Sequence, residues 1–63
     1  MNVTMKDRRT ILTQLETEPK NHTELVNSTQ YNWKEIQSII RKLRNNDNVQ
    51  ITLDRRYELT PSV

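Results

Sequence analysis

The stretch from Asn32 to Arg44, NWKEIQSIIRKLR, constrains this chain more than any other. Trp33, Ile36, Ile40 and Leu43 recur at three- and four-residue steps with Ile39 beside them, which is the apolar stripe of an amphipathic helix. Asn32 is a good N-cap residue, and Glu35 three positions later completes a capping box. At about 100° per residue the opposite face carries Lys34, Gln37, Ser38 and Arg41, with Lys42 and Asn45 at its margins. A rod that is apolar on one side has to be covered on that side, so the rest of the chain must supply a core. Its free side is built from ammonium, guanidinium, amide and hydroxyl groups, the groups that bond to phosphates and base edges.

The flanking sequence offers short elements that can provide that cover. A first helix is expected over residues 5–16, after Thr4, with Asp7 in its first turn where the helix dipole favours a negative charge. Ile11, Leu12 and Leu15 form its inner side, and Arg8 is expected to lay its aliphatic stem on the core edge with its head in water. Pro19 prevents the helix from continuing. A second, short helix is expected over 22–29, opened by an Asn21-x-x-Glu24 capping box, with Leu25 and Val26 inward. The long helix spans 32–45, and the tight connection between the second and third makes a helix-turn-helix. The chain has no glycine, so Gln30 or a neighbour is expected to take any left-handed geometry that this turn requires.

After Asn45-Asn46-Asp47-Asn48, which suits a left-handed helix end, the period of the pattern changes. Val49, Ile51 and Leu53 alternate with Gln50 and Thr52 as in a strand, Asp54 and Arg55 suit a tight turn, and a second strand follows with Tyr57 and Leu59 inward and Arg56, Glu58 and Thr60 outward. The hairpin covers about 49–60, and its tip carries Asp54, Arg55 and Arg56. Met1–Thr4, Ser62 and Val63 are expected to be loose. The reading is one domain over 1–63, mainly α with a small β-hairpin, an α+β fold.

Size and composition narrow the function. A domain of 63 residues buries only about 60% of its unfolded surface, enough for one thin core and no walled catalytic cleft. Cysteine is absent, which excludes disulfides, thiolate chemistry and cysteine zinc sites. His22 is the only histidine and reads as a surface residue near a helix start. No nucleophile–base pair, paired carboxylate or glycine-rich phosphate loop is present, so neither enzyme activity nor a cofactor, metal or small-molecule ligand is expected. No apolar run approaches the roughly 20 residues that span a bilayer, and MNVTMKDRR lacks the apolar segment of a signal peptide, which points to the cytoplasm and away from a membrane.

Net charge is only +2, but its placement is uneven. Residues 33–45 hold Lys34, Arg41, Lys42 and Arg44 against Glu35 alone, and Arg55 and Arg56 make a second basic point. Glu16, Glu18 and Glu24 lie in the other half. Such segregation favours a polarised binding face. Tyr31 is expected to plug the space between the second and third helices. Trp33, roughly 60° from the centre of the stripe, is expected either to join the core edge or to stay half exposed, with the core edge favoured, and Tyr57 to pack within the hairpin.

Several spacings resemble those of the winged helix-turn-helix family of DNA-binding domains, and the resemblance covers nearly the whole chain. Arg8-Arg9-Thr10-Ile11-Leu12 with Leu15 resembles its first helix, and Glu24-Leu25-Val26 its second. Ile36 and Leu43, seven apart, match the core of its recognition helix; Val49, six further on, matches the start of its wing; Arg56-Tyr57-Glu58-Leu59-Thr60 resembles its closing strand. The chain departs from the pattern in having Asp47 where the family usually has glycine, and in a very short wing. The resemblance implies three helices plus a two-stranded wing, with the third helix in the major groove of double-stranded DNA and the wing on the adjacent backbone or minor groove. The expected DNA-binding residues are Lys34, Gln37, Ser38, Arg41, Lys42, Arg44, Arg55 and Arg56, with Lys20 as a further phosphate anchor. The function expected is sequence-specific binding as a small transcriptional regulator, with a homodimer on a two-half-site operator as a possible arrangement. A protein-binding winged helix acting as an adaptor or inhibitor is the alternative, and single-strand binding would require Tyr31 and Trp33 to be exposed together.

Overall fold

A computed structural model of the chain describes residues 1–61. Three helices, α1 (Met5–Leu15), α2 (His22–Ser28) and α3 (Trp33–Asn45), are followed by an antiparallel hairpin of β1 (Val49–Ile51) and β2 (Tyr57–Leu59). The layout is mainly helical with a small sheet and is winged-helix-like. Each helix starts on a reciprocal capping box: Thr4 with Asp7, Asn21 with Glu24, and Asn32 with Glu35. In each, a short side chain bonds the third backbone N–H of the helix while a carboxylate returns to the cap's own N–H, so two orphan donors are satisfied at once. Thr4 is therefore an ordered cap and not part of a loose end, and Val3 packs partly buried on the core. The expectation for Ser62 and Val63 lies outside the described residues.

The core is one cluster: Ile11 and Leu15 from α1, Leu25 from α2, Ile36, Ile39, Ile40 and Leu43 from α3, and Val49 from β1. Half of these side chains come from α3. Burying each fully is worth about 1.5–3 kcal/mol, so the rotation of α3 about its axis is set by the core. Arg8 is half-buried, but its Nε is inside and has no hydrogen-bond partner among the described residues, so its head is not wholly in water as expected.

The turns differ from expectation where a left-handed residue was anticipated. Between α2 and α3, Thr29 is extended (φ −131°, ψ 175°) and Gln30 is not left-handed. The Thr29 hydroxyl donates to the Leu25 carbonyl (2.6 Å) and accepts from the Tyr31 N–H (3.3 Å), so a side chain supplies the turn. Among the described residues, positive φ occurs only at Asp47 (59°) and Arg55 (63°). Asp47 closes α3: its N–H donates to Arg44 and the Asn48 N–H to Leu43, at 3.0 and 2.9 Å, which is a Schellman end.

The strands are shorter than the alternating pattern predicts. β1 stops at Ile51, which is 45% exposed, and Leu53 is fully exposed at the hairpin tip instead of facing the core. In β1 it is Val49 that enters the core, and in β2 Tyr57 and Leu59 pack against it, inward as expected. β2 is paired on its other side as well: the Lys20 N–H donates to the Tyr57 carbonyl (3.0 Å) and the Tyr57 N–H to the Lys20 carbonyl (2.8 Å). This bridge ties the α1–α2 connection to the hairpin.

Tyr31 fills the α2–α3 side as expected and adds a bond to α1, its hydroxyl donating to Asp7 at 2.6 Å. That bond, helped by the Thr4 backbone N–H, holds the Asp7 carboxyl below the usual carboxylate range; the same bond, with burial, raises the Tyr31 phenol. The Asp7 contribution to stability is complete above the ordinary carboxylate range and is lost as pH falls through its lowered folded value. The Tyr31 contribution is complete below the ordinary phenol value and is lost as pH rises through its raised one. Thermal melts across pH should show Tyr31→Phe lowering Tm by several degrees at neutral pH and flattening the acid limb. An unchanged acid limb would remove this bond from the account. Urea melts should show Asp47→Gly stabilising the chain by about 0.5–1 kcal/mol and Asp47→Val costing about 1–2 kcal/mol, because only the first is free of the left-handed penalty.

Candidate nucleic-acid interface

With Ile36, Ile39, Ile40 and Leu43 buried, α3 must turn its other side out. Lys34, Gln37, Arg41, Lys42 and Arg44 are exposed there, while Ser38 is half-buried. Arg41 divides this side. Toward the hairpin it joins Gln37 and Arg44 in an open groove of about 800 Å³ whose far wall is Gln50 and Ile51. On the other side, Arg41, Ser38, Lys42 and Asn45 line a shallower depression against the N-terminal segment Met1–Val3. Ser38 is thus less open than its neighbours on this side of α3.

Among the described residues both ion pairs belong to Arg56, which reaches Glu24 of α2 at 2.6 Å and Asp54 at 3.1 Å. Arg56 thus links the hairpin to α2. Lys20 is engaged too. Its Nζ donates to the Gln14 carbonyl at 2.7 Å, closing the C-terminal end of α1, so it is not a free phosphate anchor. Lys34, Arg41, Lys42, Arg44 and Arg55 form no ion pair among the described residues. At the hairpin tip, Arg55 is held in left-handed geometry, its N–H donating to the Thr52 carbonyl (3.0 Å), and the Thr52 hydroxyl bonds Asp54. That hydroxyl is the main cause of a lowered Asp54 pKa, with Arg56 contributing.

Trp33 is not part of the core edge. It is 54% exposed, and its ring stacks on His22 with centroids 3.9 Å apart and planes 25° from parallel. The His22 Nε2–H donates to the Trp33 carbonyl at 2.9 Å, and Tyr57 meets the His22 ring edge-on at 6.2 Å. His22 is therefore the middle of an aromatic pile at the mouth of the groove and not an idle surface residue. A reading of apolar periodicity assigns Trp33 to the stripe because it treats aromatic rings like aliphatic side chains. The signal available was the ring's position at the stripe margin. Nothing local to His22 indicated its partner eleven residues away.

Among the described residues no group of three or more His, Cys, Asp or Glu side chains is placed to hold a metal ion, and no helix is long and apolar enough to cross a membrane. Comparison with protein-family models, curated proteins and solved structures gives no match. The exposure of Trp33 is checked by acrylamide quenching, since it is the sole tryptophan. Its emission should be that of a partly solvated indole, and His22→Ala should increase quenching by opening the covered face. Emission typical of a buried indole, or quenching unmoved by the substitution, would contradict the stack.

Proposed function

We propose that the protein binds double-stranded DNA sequence-specifically, as a small transcriptional regulator working in the cytoplasm. α3 enters the major groove, whose width admits a helix and where each base pair presents a distinct edge. The observation that carries this reading is the run of cations on and beside one helix face, Lys34, Arg41, Lys42 and Arg44, with Arg55 at the hairpin tip, none of them in an ion pair among the described residues. Evenly solvated charge would leave acids among them, and α3 offers only Glu35, which is spent on its own N-cap.

Roles follow from chemistry and position. Arg41 can clamp a guanine and Gln37 can pair with an adenine. Lys34, in the first turn of α3, lies where the helix dipole and free N–H groups favour a phosphate. Lys42 and Arg44 suit phosphates, which position the protein without specifying sequence. Ser38, half-buried, is a lesser contact. Arg55 extends from the tip toward the neighbouring backbone or minor groove, while Arg56 sets the angle of the hairpin through Glu24. A module this small binds modestly by itself, and two copies on two half-sites is the arrangement that raises affinity.

Fluorescence anisotropy against a labelled random duplex tests the reading. About five phosphate contacts give a slope of log affinity on log salt near −4 to −5. Arg41→Ala should cost about 1–3 kcal/mol on a selected site and relax preference at one base pair, whereas Lys42→Ala should weaken all sequences alike. Circular dichroism should report an intact fold for both. No binding tighter than roughly 100 μM at low salt, weaker than ordinary non-specific affinity, would overturn the proposal.

A further inference from the structure

We infer that the groove between α3 and the hairpin seats one unpaired DNA nucleotide, its base stacked on Trp33 and its phosphates held by Arg41 and Arg44. The inference extends the DNA-binding reading and rests on it for the charge of the ligand; with Tyr31 half-buried and bonded to Asp7, the surface offers one ring for one base and not the pair of rings that holding an extended single strand requires. Direction is the first argument. Trp33 lies more than about 100° round α3 from the centre of its outward strip. A base paired within a duplex has both faces covered by its neighbours and offers this ring nothing to stack on. What meets this ring is a base that has left the stack.

Pre-organisation is the second argument. An indole that is 54% exposed would ordinarily be free to rotate, but this one is pinned by the His22 ring at 3.9 Å and by the His22 bond to its own carbonyl at 2.9 Å. Tyr57 meets His22 edge-on, and Trp33, His22 and Tyr57 all line the groove. A further flat ring continues such a pile, and stacking is the sequence-tolerant way in which proteins hold single strands.

The third argument is what accompanies the ring. Gln37 and Arg41 line the same groove, about 6 and 12 Å further along the helix axis than Trp33 at 1.5 Å per residue. Arg44 follows. Ring, amide and guanidinium match a base, its polar edge and the phosphates on either side. The one carboxylate of the groove, Asp47, lies past the far end of α3, away from the ring.

The sole tryptophan makes the test direct. The intact protein is titrated at low salt with labelled oligo-dT of about ten nucleotides, within the usual site size for single strands, with an abasic oligomer of equal phosphate count, and with a duplex. Anisotropy reports binding and indole emission reports stacking. Oligo-dT should bind and quench the emission by half or more, while the abasic oligomer leaves it nearly unchanged. Trp33→Ala should weaken oligo-dT about tenfold and the duplex by less than about twofold, with Trp33→Phe restoring most of the loss. Oligo-dT that binds without quenching, Trp33→Ala weakening both ligands equally, or a preference of about tenfold for oligo-U would each overturn the inference. Duplex binding without oligo-dT binding overturns the groove alone. Quenching by oligo-dT without duplex binding supports the groove and overturns the regulator reading.

Discussion

The rotation of α3 about its own axis is the constraint on which everything else depends. Four buried side chains, Ile36, Ile39, Ile40 and Leu43, hold that rotation, and both ends of the helix are closed. At the start, Asn32 and Glu35 satisfy each other's backbone donors. At the end, Asp47 and Asn48 return to the last carbonyls. A helix in a domain of 63 residues has few other supports, so a slip of one residue would carry Leu43 toward water and Arg44 into the core. The core and the exposed cationic strip are two faces of the same fixed rod.

Much of this was legible because it is local. The capping boxes at Asn21 and Asn32 can be read from spacing alone, and so can the stripe that decides what α3 buries. The box at Thr4 is read only in part, because aspartate in place of glutamate at its third position makes Asp7 look like a partner for the helix dipole and nothing more. Its bond to Tyr31, twenty-four residues away, has no local sign. The same limit hides Lys20 and Arg56. Each looks like a free cation in sequence, and each is claimed by a group distant along the chain, the carbonyl of Gln14 for one and the carboxylate of Glu24 for the other. Local charge counts overstate a binding face wherever tertiary contacts use some of the charge.

The hairpin shows where alternation misleads. Val49, Ile51 and Leu53 have the period of a strand with one buried face, but burial needs something to bury against. The core of so small a domain ends at the base of the hairpin. Val49 enters it, Ile51 lies at its rim, and Leu53 has passed beyond it. The turn therefore comes early, with Thr52 bonding to Arg56 and Arg55 across it, and Arg55 accepts a positive φ that glycine would take more readily. A chain without glycine makes its turns with side-chain oxygens, as Thr29 and Thr52 do, or tolerates the cost at Asp47 and Arg55.

Trp33 stands where these effects meet. It belongs to the stripe by spacing, yet the volume on that side of α3 is already filled by Ile36 and Ile40, and α2 presents His22 and not a hollow. An indole can satisfy part of its surface by stacking, so it turns along the mouth of the groove and lies against the imidazole. This leaves an aromatic surface open in the groove beside Arg41 and Arg44, which form no ion pair among the described residues. Here its position follows from packing geometry, and its companions follow from the rotation of α3, so both halves of the groove trace back to the same four buried side chains.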